Sequence, residues 1–101
     1  MVKVEFNLSN NYSFRVTGHA EAGPYGQDLV CAAVTGIMSG MLNVLDARYG
    51  DEVAIVVNEN EIKINANTSS QEMFQDLETL LLQLQTLELQ YPKNINIKEV
   101  H

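Results

Sequence analysis

The chain has 101 residues, 46% of them apolar, enough for one domain (1–101) with one core and too few for two. Thirteen acidic against six basic side chains give a formal charge of -7, so phosphate backbones are repelled and nucleic acid is not an expected ligand, whereas a basic protein or peptide suits this balance. One cysteine, Cys31, cannot form an internal disulfide, which fits a reducing compartment and leaves a free thiol.

Met1-Val2-Lys3-Val4-Glu5-Phe6 alternates charged with apolar residues and lacks the continuous apolar stretch of a secretory signal. The longest apolar segments are broken every few residues by Asp, Asn, Gln or Glu, short of the roughly 20 apolar residues of a membrane span. A soluble, cytoplasmic protein without membrane contact is expected.

Val2, Val4, Phe6 and Leu8 alternate with Lys3, Glu5 and Asn7, the period of a strand with one buried face. Ser9-Asn10-Asn11 supplies turn formers, and Tyr12 to Thr17 resumes the alternation, so the two segments predict a hairpin that Gly18 ends. From Asp28 the apolar residues Val30, Val34, Ile37, Met41 and Leu45 fall three and four apart, which predicts a helix with Asp28 as N-cap and Gly50 as its stop after Arg48. Gly36 and Gly40 inside it each cost about 1 kcal/mol relative to Ala, and close packing against the sheet is the expected reason.

Val53, Ile55 and Val57, a turn at Asn58-Glu59-Asn60, and then Ile62, Ile64 and Ala66 predict a second hairpin. A second helix is signalled by Ser69 or Ser70 as cap and by Met73, Leu77, Leu80, Leu81, Leu84 and Leu87, closing at Tyr91-Pro92. Ile95 and Ile97 suggest a last strand. The order ββαββαβ implies an α+β fold, a five-stranded mixed sheet with two packed helices. Leu82 and Leu89 lie off the second helix's main stripe; the surplus apolar surface points to a dimer or to a broad buried face.

The segment between the first hairpin and the first helix reads Gly18-His19-Ala20-Glu21-Ala22-Gly23-Pro24-Tyr25-Gly26-Gln27 and runs directly into the turn that holds Cys31. With Asp28 as N-cap, Cys31 falls at N3, where unpaired helix N–H groups favour a thiolate. That help is about 0.3 to 1 kcal/mol, which moves the ionisation of a thiol, ordinarily near pH ~8.5, by less than about one pH unit. A second positive charge is needed. An imidazolium about 4 Å from the sulfur supplies on the order of 4 kcal/mol at an effective dielectric near 20, about three pH units. His19 is the only histidine besides the terminal His101. Cys31 as nucleophile and His19 as proton shuttle would form a dyad, with helix N–H groups holding the oxyanion.

Against this stands plain packing: cysteine is among the most buried residues, and Val30-Cys31-Ala32-Ala33 is a small apolar run. Asp28 can cap the helix or orient His19, and Tyr25 can anchor the loop. Cys31, His19 and His101 lack the clustered spacing of a zinc site, and no metal or cofactor is expected. The competing functions are a non-catalytic peptide-binding module and a redox-sensing thiol, the latter without a second cysteine to resolve a sulfenate.

Gly18-His19-Ala20 followed by Tyr25-Gly26-Gln27-Asp28-Leu29-Val30-Cys31-Ala32-Ala33-Val34 resembles the signature of the ribosomal-processing cysteine protease family, Prp. The likeness covers the whole chain in length, element order and acidic balance, and residues 18 to about 36 are its specific part. The resemblance implies an endopeptidase that removes the N-terminal extension of a bacterial large-subunit ribosomal protein precursor, acting as a homodimer. It puts the catalytic pair on Cys31 and His19, a motif aspartate on Asp28, and a glycine-rich loop over the site at residues 18 to 27, with Gly18, Gly23, Tyr25 and Gly26 as peptide contacts. Two positions depart from the pattern: Pro24, which stiffens that loop, and Thr35, where serine is usual.

Overall fold

A computed structural model describes residues 1–19 and 25–101. Strand β1 (Val2–Asn7) and strand β2 (Ser13–Thr17) form the first hairpin. Its turn is closed by Asn7, whose Oδ1 accepts from the backbone N–H of Ser9 at 2.9 Å. Helix α1 (Tyr25–Tyr49) follows, then a short 3-10 turn (Gly50–Glu52) and the hairpin of β3 (Val53–Asn58) and β4 (Glu61–Ala66). Helix α2 (Gln71–Gln90) and β5 (Ile95–Glu99) complete the chain. Of the two candidate caps for α2, Ser70 serves: its hydroxyl accepts from the Met73 N–H at 3.2 Å.

The strands form one mixed sheet in the order β3-β4-β2-β1-β5. Three neighbouring pairs are antiparallel, and β1 with β5 is parallel, placing Val2 opposite Ile95 and Val4 opposite Ile97. Register puts Val4, Val16 and Ile62 in one row across the sheet and Phe6, Phe14 and Ile64 in the next. Phe6 and Phe14 stack with ring centroids 5.8 Å apart. On the other face, Arg15 bridges Glu5 at 3.0 Å and Glu61 at 2.6 Å, and the Arg15 hydrogen bond holds the Glu61 carboxyl below its usual range.

Both helices lie on one face and share one core with the sheet. Val34, Met38 and Leu45 of α1 and Met73, Leu77, Leu80 and Leu84 of α2 are fully buried against Val2, Val4, Phe14, Val16 and Ile64. The expected five-stranded α+β architecture is therefore the observed one.

Three details differ from expectation. Helix α1 starts at Tyr25, three residues before Asp28, so Asp28 lies inside the first turn and not at the N-cap position. Gly36 and Gly40 are not close-packed against the sheet: among the described residues, a Cβ at either would meet no atom within 4 Å beyond its own stretch of helix. They line an open groove with Asp76, Thr79 and Gln83 of α2. Finally, Gln27–Glu52 is long and apolar enough to cross a membrane by length and composition, because Ala, Gly, Ser and Thr replace charges along it. Its larger apolar side chains form the core stripe of a two-layer sandwich.

Candidate active site

Strand β2 delivers Gly18 and His19 to the end of the sheet nearest the start of α1. Gly18 adopts φ +81°, the left-handed region, and a Cβ there would collide with the Met1 carbonyl oxygen, so only glycine fits. Its N–H donates to the Asn60 carbonyl at 3.3 Å, which fixes the turn against the second hairpin. His19 is 7% exposed, and its Nδ1 is buried without a hydrogen-bond partner among the described residues. Such a group costs about 1 to 3 kcal/mol and is a nitrogen available to a proton or a ligand.

Helix α1 delivers Gln27 and Cys31, one turn apart on one face. Cys31 is 6% exposed. Its thiol donates to the Gly18 carbonyl at 3.4 Å, and its sulfur accepts from Gln27 Nε2 at 3.1 Å. Gln27 is itself buried, and its Oε1 accepts from Asn94 Nδ2 at 3.3 Å, on the turn between α2 and β5. Thr35 donates its hydroxyl to the Cys31 carbonyl at 2.8 Å.

The fold thus brings Cys31 onto the backbone of the residue immediately before His19. Because α1 begins at Tyr25, Cys31 belongs to its second turn and is not N3. Helix-end polarity falls off within the first turn, so it helps the sulfur less than the N3 position would. Tyr25 and Gly26, expected in the loop, open the helix. Gly23 and Pro24 lie outside the described residues. Asp28 sits on an exposed part of the first turn. In the sequence Gln27 has a place at the end of the 18–27 loop but no assigned role, and nothing there brings Asn94 to the site at all. Gln27 carries a weak signal, a polar side chain four residues before the cysteine on the same helical face; Asn94 carries none.

A cysteine that merely fills space needs no polar partners. This one has a donor and an acceptor in a buried setting, one of them the carbonyl of the residue directly before a buried histidine, on an α+β sandwich, and that combination defines a candidate thiol-nucleophile enzyme. Comparison with known proteins narrows the class. Residues 1–96 match the family described as Cysteine protease Prp. A Bacillus subtilis relative named ribosomal processing cysteine protease Prp is 32% identical over 92 residues, covering 84% of this chain and 82% of its own. The essential ribosomal processing protease Prp from S. aureus, solved in complex with a substrate peptide, superposes with a TM-score of 0.82 at 25% identity, over 98% of this chain and 97% of that one. The same S. aureus protease in complex with a covalently linked product peptide gives a TM-score of 0.78 at 27% identity, over 98% and 97% of the two chains. The chain belongs to the cysteine protease Prp family.

Proposed function

We propose that this protease removes the N-terminal extension of a bacterial large-subunit ribosomal protein precursor, with Cys31 as nucleophile and His19 as general base and acid. The observation that carries the reading is the buried Cys31 thiol hydrogen-bonded to the Gly18 carbonyl, one residue in sequence from a buried histidine whose Nδ1 has no partner among the described residues.

The imidazole of His19 takes the thiol proton, and the Cys31 thiolate attacks the scissile carbonyl to form a tetrahedral oxyanion. Collapse breaks the C–N bond, and the proton on His19 passes to the leaving amine, the new N-terminus of the mature protein. The extension remains as a thioester on Cys31 until water, deprotonated by His19, hydrolyses it. The covalently linked product peptide of the S. aureus relative supports a covalent route. The formal charge of -7 suits a basic ribosomal substrate. Gly18, Gly23, Tyr25 and Gly26 are the proposed peptide contacts, and Asp28 is an orienting residue. The proposed setting is cytoplasmic. Leu82 and Leu89, 56% and 85% exposed on α2, support a homodimer.

The test is incubation of the purified protein with the ribosomal precursor, read by mass spectrometry. The expected result is loss of the extension at a single bond; a precursor left at full length by the wild-type protein contradicts the substrate assignment.

A further inference from the structure

Cys31 lies in the second turn of α1, where helix-end polarity helps it little, so a nascent thiolate needs another donor. Gln27 supplies one. Its Nε2 donates to the sulfur at 3.1 Å, while the thiol proton points away to the Gly18 carbonyl at 3.4 Å. A donor already aimed at the sulfur stays in place when the proton leaves, without reorganisation.

A glutamine amide has two ends, and only one suits an anion. Here the orientation is set from 67 residues away in sequence, where Asn94 Nδ2 donates to Gln27 Oε1 at 3.3 Å. Asn94 is held by its backbone on both sides: its N–H donates to the Tyr91 carbonyl at 2.9 Å, and its carbonyl accepts from the Val2 N–H at 2.9 Å. Were the Gln27 amide reversed, its NH2 would face the Asn94 NH2 and its oxygen would face the sulfur. Both contacts would be repulsive once the thiolate forms.

We propose that Gln27 is the hydrogen-bond donor that stabilises the Cys31 thiolate, and that Asn94 is a positioning residue that fixes the polarity of the Gln27 amide. This rests on the reading of Cys31 as nucleophile. The two residues give the site a thiolate-stabilising element that is independent of His19.

The test is the pH profile of Cys31 alkylation by iodoacetamide on the folded protein without substrate. The titratable groups on the surrounding segments, His19 after β2, Asp28 on α1 and Lys93 beside Asn94, are retained in every variant. Gln27→Met, similar in length but without a donor, is expected to move the profile's midpoint up by about one pH unit. Asn94→Asp replaces the donor to Oε1 with an acceptor and turns the amide oxygen to the sulfur; it is expected to move the midpoint at least as far without touching the thiol. Asn94→Ala, which adds no charge, moves it up by less. Gln27→Leu, uncharged and also without a donor, keeps the test readable should Gln27→Met unfold, and moves the midpoint the same way. Unchanged midpoints in folded Gln27 variants overturn the role of Gln27. A shift in the Gln27 variants with none in either Asn94 variant overturns the role of Asn94. Cleavage assays with Cys31→Ala decide the nucleophile separately, so the two failures are distinguishable.

Discussion

The Cys31 thiol donates to the carbonyl oxygen of Gly18, the residue directly before His19, at 3.4 Å. That hydrogen bond aims the thiol proton at a neutral acceptor. Ionisation requires that proton to move to a base, and His19, next in sequence to Gly18, has a buried nitrogen without a hydrogen-bond partner among the described residues. Replacement of His19 by alanine is expected to shift the alkylation profile of Cys31 to higher pH and to slow alkylation at neutral pH by about tenfold or more. An alkylation profile identical to wild type would remove the imidazole from the account.

Gly18 has two reasons to be glycine, its positive φ and the Met1 carbonyl that a Cβ would strike. Gly18→Ala is expected to lose about 1 to 3 kcal/mol of stability in denaturant titrations. Because the carbonyl that holds the thiol belongs to the same residue, peptide cleavage should fall beyond what the lost folded fraction explains.

A second cluster ties the end of α1 to α2. Tyr49 donates its hydroxyl to Asp76 at 2.5 Å, and Arg48 pairs with the other carboxylate oxygen at 2.7 Å. Burial, and then the Asp76 hydrogen bond, push the Tyr49 hydroxyl up to about 12 from an ordinary 10.0. The folded state binds that proton more tightly than the unfolded chain does. Its contribution is thus complete below pH 10.0 and is lost as the pH rises to about 12. Melting temperatures should fall across that window. Tyr49→Phe should flatten this part of the decline and cost about 1 kcal/mol at neutral pH.

Ser70 caps α2 through the Met73 N–H. Ser70→Ala is expected to cost about 1 kcal/mol in chemical denaturation while leaving the rate of peptide cleavage unchanged.

Most of the fold is legible in the order of residues because its signals are local. Val2 and Val4 against Lys3 and Glu5, and Met73, Leu77, Leu80 and Leu84 at helical spacing, carry their own periodicity. The start of α1 misleads because Asp28 is a good cap type and Gly26 looks like a breaker. A glycine costs a helix only about 1 kcal/mol, and the buried face begun by Gln27, Val30 and Cys31 outweighs it. Gly36 and Gly40 mislead in the other direction, since small size permits close packing without requiring it. Cys31 and Gly18 are legible as a glycine-histidine turn running into a cysteine-bearing helix. The Asn94 to Gln27 hydrogen bond is not, because it joins positions whose nearness exists only once β5 has paired with β1.

The most direct measurement of the central claim is acid-quenched mass mapping of the protein during a single turnover with the ribosomal precursor. The account predicts that the released extension appears as a thioester on Cys31, and that Cys31→Ala, still folded, forms no adduct and cleaves slower by on the order of a thousandfold or more. Cleavage by Cys31→Ala at an undiminished rate would contradict it.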